Sequence, residues 1–158
     1  MPLERDRKAQ PFLDSDANET APKFSPDGRW LAYASDETGR DEIYLRPIGS
    51  AGGRKRISTD GGTWPTWNRN GRELFFVKGD KLAAVTLDTQ MDRVGQEHVI
   101  LNAPKFENLQ FQAEAPSYDV MPDGEHFVML LTPQYPSPTH YNVVVNWFSE
   151  LQQRVPVK

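Results

Sequence analysis

An all-β fold of short antiparallel strands is predicted by three observations: a recurring hairpin, an abundance of turn formers, and apolar runs of strand length. The chain has 158 residues with 13 Pro and 11 Gly, and hydrophobic residues make up 37%, below the usual globular share of roughly 45–50%. Many short elements joined by turns account for this balance, and a helical bundle does not. The recurrence is the decisive signal. PKFSPDGRWLAYAS at 22–35 aligns without a gap on PTWNRNGRELFFV at 65–77, and YDVMPDGEHFVML at 118–130 is a third copy. Gly28, Gly71 and Gly124 share one position, 43 and then 53 residues apart. Spacing of about 40–50 residues is that of β-propeller blades of four strands each.

Each copy has a local physical reading. Asp or Asn followed by Gly separates two apolar runs, because both tolerate positive φ and the Asx side chain can close a turn. Pro26 and Pro122 pre-set the entry to that turn. With strands labelled A to D from the centre of a blade to its rim, A and B are expected at 22–25 and 30–35. They recur at 65–68 and 73–78, and at 117–121 and 126–131. The B runs LAYA, LFFV and FVMLL are apolar on both faces, as strands between stacked blades would be. C strands are expected at 42–48, 81–87 and 142–147, and D strands at 54–58 and 98–101. A third D strand is expected at 8–13 (KAQPFL), where the N-terminal segment would complete the last blade. The whole chain then reads as one propeller domain with blades at 21–58, 63–101 and 115–148. At 149–158 a short helix is expected, since Trp147, Phe148, Leu151 and Val155 recur at helical spacing and Ser149 with Gln152 can form a capping box.

Charge and composition exclude several functions. With 18 Lys+Arg against 22 Asp+Glu and a net charge of −4, the chain lacks the basic footprint of a nucleic-acid binder. No run of about 18 apolar residues could insert into a membrane, and the opening MPLERDRKAQ has no apolar core of a secretory signal. The absence of cysteine removes disulfides, thiolate metal sites and thiol catalysis, and leaves the compartment open. No Gly-x-Ser-x-Gly nucleophile elbow is present, and His98, His126 and His140 lack a patterned partner, so they read as surface or packing residues. Asp14-x-Asp16-x-Asn18 opens like a calcium loop, but Glu19 stands where that loop needs Gly, and Ser25 where it needs a bidentate Glu. Asp36, Glu37, Arg40, Asp41 and Glu42 read as a solvated turn, and Arg54 to Arg56 as a charged rim edge. No catalytic residue, metal or cofactor is expected, and the chain reads as a non-enzyme.

Residues 18–48, NETAPKFSPDGRWLAYASDETGRDEIYLRPI, resemble the repeat of the TolB-type, WD-repeat-like β-propellers of bacteria. RISTDGGTWPTW at 56–67, the copy at 118–130 and NVVVNWFSELQQRVP at 142–156 resemble the C-terminal propeller of certain bacterial serine/threonine protein kinases. The resemblance implies a sensory or protein-binding module, extracytoplasmic if it belongs to a membrane-anchored kinase. It does not imply kinase chemistry here, because no Gly-rich phosphate loop, catalytic loop or DFG occurs in the sequence. Other members of the wider family gate peptidase active sites, so the fold alone leaves the partner open.

In propellers, the D-to-A and B-to-C loops share one face, here 13–20, 58–64 and 102–116 with 35–42, 78–81 and 131–141. The expected channel-mouth binding residues are Glu19, Thr20, Asp60, Thr63, Trp64 and Glu114. Trp67 shares its repeat position with Phe24 and Val120 and reads as core. Trp64 aligns on Ala21, so packing does not call for its bulk, and it is the expected binding anchor. Three blades are fewer than the four to eight that typically close a ring, and an arc would leave two apolar flanks in water. The expectation is a homodimer: two chains stack head to tail into six blades, each lending its N-terminal strand to its partner. The expected ligand is a protein or peptide, with neither nucleic acid nor membrane insertion. The alternative is a truncated regulatory propeller of a kinase, or the gating propeller of a peptidase.

Overall fold

The computed structural model describes residues 11–49, 53–88, 93–102 and 118–129. Ten strands form: β1 (Glu19–Phe24), β2 (Trp30–Ser35), β3 (Glu42–Pro47), β4 (Lys55–Arg56), β5 (Thr63–Trp67), β6 (Glu73–Lys78), β7 (Lys81–Thr86), β8 (His98–Asn102), β9 (Tyr118–Val120) and β10 (Phe127–Met129). They make two four-stranded antiparallel sheets, β1-β2-β3-β4 and β5-β6-β7-β8, and a third hairpin, β9-β10.

The three hairpins are closed by the same chemistry. Gly28 N–H donates to Ser25 C=O at 2.8 Å, Gly71 to Asn68 at 2.9 Å, and Gly124 to Met121 at 2.9 Å. Each glycine holds a left-handed φ between 69° and 76°, which costs an L side chain about 1–2 kcal/mol and glycine little. Beside it, Asp27 accepts from Arg29 N–H at 3.0 Å, Asn70 from Arg72 N–H at 2.8 Å, and Asp123 from Glu125 N–H at 3.0 Å. The Asx-Gly pair is therefore the folding instruction that recurs, whichever Asx residue supplies it.

Strand A begins earlier than the sequence suggests, at Glu19 and Thr63. Pro22 and Pro65 cannot donate to a ladder, and the chain accommodates them by a bulge. The register shifts between Thr20 and Lys23 and between Thr63 and Thr66, where Ala21 and Trp64 take φ of 51° and 50°. The first D strand is shorter than 54–58, with only Lys55–Arg56 in the ladder.

Alternation explains why the B strands are apolar throughout. Ala32, Ala34, Ile43, Leu45 and Ile57 on one face of the first sheet meet Trp67, Leu74, Phe76, Ala83, Val85 and Leu87 of the second. The other face of the second sheet, Phe75, Val77, Leu82 and Ala84, meets Tyr118 together with Trp64, Val120, Phe127 and Met129. Phe75 and Phe127 pack edge to face, 4.9 Å apart at 86°, a favoured aromatic geometry.

Two expectations need correction. The first blade's outer face is not bare: Leu31, Tyr33 and Tyr44 are buried, with Leu13 and Ile48 packed against them. Tyr33 and Tyr44, paired across β2 and β3, stack at 5.9 Å. Nor do residues 11–13 form a D strand. Pro11 removes a ladder donor, and the apolar face of the first blade gives Leu13 a burial site. Residues 8–10, the C strand at 142–147 and the helix at 149–158 lie outside the described residues. Elsewhere the picture differs, since Val99, Ile100 and Leu101 of β8 and Val128 of β10 are exposed.

Candidate functional site

The loop entering β5 is held by a buried carboxylate. Glu42 is fully buried at the start of β3 and accepts from the Ser58 hydroxyl, from Gly61 N–H at 3.1 Å and from Arg40 Nε at 3.0 Å. The Ser58 Oγ in turn accepts from Ile43 N–H at 2.8 Å. Arg40 completes the latch by pairing with Asp60 at 3.0 Å, and the two carboxylates raise the Arg40 pKa, Asp60 first. A charge is tolerated at this depth because every partner is a donor. The acidic run around residues 36–42 is thus not uniformly solvated, as its composition suggests: its last member is core.

A second carboxylate grips the same loop from the second blade. Glu97 accepts from Thr59 N–H and Thr59 Oγ1, both at 3.1 Å, and pairs with Lys78. The loop entering β1 is fixed in a related way. Asn18 donates its backbone N–H and side-chain Nδ2 to Asp36 at 2.9 and 2.7 Å, and these bonds lower the Asp36 pKa. Burial, then the Asp36 charge, raises that of Asp41.

These anchors position five of the six predicted mouth residues. Asp60 is exposed at φ 61°, and Thr20 is exposed one residue before the first bulge. Glu19 is half-buried and accepts from Ser15. Thr63 is half-buried, its Oγ1 enclosed and without a hydrogen-bond partner among the described residues. Trp64 is also half-buried, but it packs against the cluster between the second blade and the third hairpin. Its carbonyl accepts from the Tyr118 hydroxyl at 2.7 Å, and burial raises the Tyr118 pKa further above its usual range. Packing therefore does use Trp64, contrary to the expectation drawn from Ala21. Glu114 lies outside the described residues.

A second hollow lies at the opposite ends of the A strands, among the Asx-Gly turns. Lys23, Phe24, Thr66, Trp67, Asp119 and Met121 contribute to an open groove of about 480 Å³. The Trp67 indole N–H donates to the Lys23 carbonyl at 3.1 Å, tying the second blade to the first. Trp67 is core, as expected, yet its repeat partner Phe24 is 65% exposed. The shared repeat position of Phe24, Trp67 and Val120 was the available signal for this groove, since one position per blade lines a central channel.

Two blades stacked face to face, each four strands deep with its A strand at one edge, decide the architecture. The chain folds as an arc of a β-propeller. No family model and no curated protein matches it. Among solved structures, the propeller is similar to a protein assigned as TolB in Agrobacterium tumefaciens, 17% identical over 76% of this chain and 46% of that one, with a TM-score of 0.50. TolB from Acinetobacter baumannii is 20% identical over 82% and 41% of the two chains, at a TM-score of 0.46. The β-propeller domain of the Trilobed protease from Pyrococcus furiosus, with its open velcro topology, is 27% identical over 53% and 29%, at 0.41. The propeller arc thus spans less than half the length of each of these proteins. Among the described residues no helix is long and apolar enough to cross a membrane.

Proposed function

We propose that the chain is a non-catalytic recognition module that captures a protein or peptide at the D-to-A and B-to-C end of its channel. One observation carries this reading. All three described non-glycine residues with positive φ, Ala21, Asp60 and Trp64, lie on the loops and strand starts of that end. Strained backbone of this kind costs of the order of 1–3 kcal/mol per residue, persists only where the surrounding structure enforces it, as the bulges before Pro22 and Pro65 do here, and clusters at functional sites. Here Glu42 and Glu97 hold the loop around Asp60 in place, so the surface is presented preformed, which lowers the entropy lost on capture. Peptides selected from a displayed library on the whole chain provide the test. Thr20→Ala with Asp60→Ala, both exposed, is expected to weaken their binding about tenfold or more, with circular dichroism unchanged. Equal binding by the double variant would remove this end from the reading.

Completion of the ring by a second copy is part of the same proposal. Its support is the exposed apolar side chains of β8 and β10. The covered outer face of the first blade means that docking there must displace or extend the contact made by Leu13. Light scattering at micromolar concentration is expected to give twice the chain mass. A stable single-chain mass would leave the second reading, a regulatory propeller of a kinase, which rests on the resemblance carried by residues 56–67, 118–130 and 142–156, or the gating propeller of a peptidase, which rests on the wider family.

A further inference from the structure

We propose that the groove among the Asx-Gly turns, at the end opposite the loops just discussed, binds an extended acidic segment of another protein that carries one aromatic or large aliphatic side chain. The inference deepens the recognition reading and rests on it, but it places a separate contact on separate residues. Its first support is an inversion of charge. The chain is net negative, at −4, yet the groove and the hollow of about 390 Å³ that adjoins it at Pro26 and Arg69 are lined by Lys23, Arg29, Arg69 and Arg72 against Asp27 and Asp119. Asp27 is already paired with Arg29 at 2.7 Å, and Asp119 accepts from the Val120 N–H at 2.8 Å. Lys23, Arg69 and Arg72 form no ion pair among the described residues.

The second support is apolar. Phe24 is 65% and Met121 43% exposed inside the same groove, where large apolar side chains gain by being covered. The Trp67 N–H is spent on the Lys23 carbonyl, so the indole offers the groove a ring and no donor. An aromatic or aliphatic side chain seated between Phe24 and Met121, with carboxylates reaching Lys23, Arg69 and Arg72, satisfies both features together. A small anion uses only the cations, and a neutral apolar ligand leaves them unpaired. A volume of about 480 Å³ lies within the range of roughly 300–1,000 Å³ usual for ligand sites.

Fluorescence anisotropy tests this with the whole chain and a dye-labelled twelve-residue peptide in which four Glu flank one Phe. The peptide is expected to bind, more weakly as salt rises. Phe24→Ala and Arg69→Glu should each weaken binding about tenfold or more, while Arg56→Glu on the rim leaves it unchanged. Any of four results overturns the proposal: no binding; equal binding of a peptide with Lys for Glu or Ser for Phe; displacement by millimolar inorganic phosphate; or an Arg69→Glu effect on native mass in place of peptide affinity. Loss of binding only in the Thr20→Ala/Asp60→Ala variant would also overturn it, while sparing the recognition reading at the other end.

Discussion

The first and second blades share their inner hairpin and differ in what surrounds it. Both carry the Asx-Gly turn, the bulge before a proline and a two-sided apolar B strand. The B-to-C connections diverge. In the second blade Lys78 pairs with Lys81 across a two-residue turn, and Gly79 at φ 56° provides the reversal. In the first, Ser35 pairs with Glu42 across a longer connection, and that Glu42 is the buried latch on the next loop. The D strands diverge too, with two residues in β4 and five in β8. The repeat specifies the stackable centre of a blade, and the connections are free to be built for one loop at a time.

The largest expected effect separates the two connections directly. Glu42→Ala leaves the Gly61 N–H and the Ser58 hydroxyl without their acceptor and Arg40 with Asp60 alone, and each buried donor left unpaired costs about 1–3 kcal/mol. Lys81→Ala at the matching position should change stability by less than about 0.5 kcal/mol. Urea denaturation of both variants checks the contrast, and equal midpoints would show that the latch contributes nothing. Gly62→Ala ranks next, at about 1–3 kcal/mol, because an added Cβ would stand 2.8 Å from Ile43 Cγ1 and 2.9 Å from Ser58 Oγ. Gly79 has nothing within 4 Å of the same atom, and its requirement is only the left-handed φ. Asn tolerates that φ, so Gly79→Asn should be nearly neutral and Gly62→Asn should not. If Gly62→Asn is equally mild, the steric account of that loop fails.

The same contrast explains how far the sequence could be read. The hairpins, their turn chemistry and the two-sided burial of the B strands were legible, because Asx-Gly turns and unbroken apolar runs act locally. The bulges at Ala21 and Trp64 were hidden, because Pro22 and Pro65 suggest strand starts where the ladder in fact continues past them. Glu42 was hidden more deeply. In sequence it is one acid in a charged run, and only the arrival of Ser58 and Gly61 from the next blade makes it core. Trp64 was misjudged for a related reason, since part of the cluster it packs against and its Tyr118 bond come from a hairpin more than fifty residues away. Local chemistry was readable; contacts that cross from blade to blade were not.

A cross-blade contact of intermediate size tests that division. Tyr118→Phe removes the hydroxyl that bonds the Trp64 carbonyl at 2.7 Å and should cost about 1 kcal/mol. A double-mutant cycle with Phe75→Leu would show coupling, since both act on the face between the second blade and the third hairpin. Strict additivity would mean that the third hairpin is stabilised independently of the second blade.

The smallest expected effect lies in the turns themselves, which are alike in shape and different in charge. The Ser25 hydroxyl first, then the backbone and guanidinium of Arg29, hold the Asp27 carboxyl down at about 2. The Glu125 N–H, the His126 ring and the His126 N–H do the same for Asp123, also to about 2. Because both folded values lie below the ordinary 3.8, each turn adds stability that is complete above about pH 4 and lost as the pH falls through 2. Their side chains are 44% and 45% exposed, so solvent screening keeps the contribution modest. Asn70 closes the middle turn with no titrating group. Asp27→Asn with Asp123→Asn should therefore flatten the decline of the urea midpoint between about pH 4 and 2, and Asn70→Asp should steepen it. If neither variant changes that slope, the acid response arises elsewhere in the fold, and the difference in charge among the three turns has no bearing on stability.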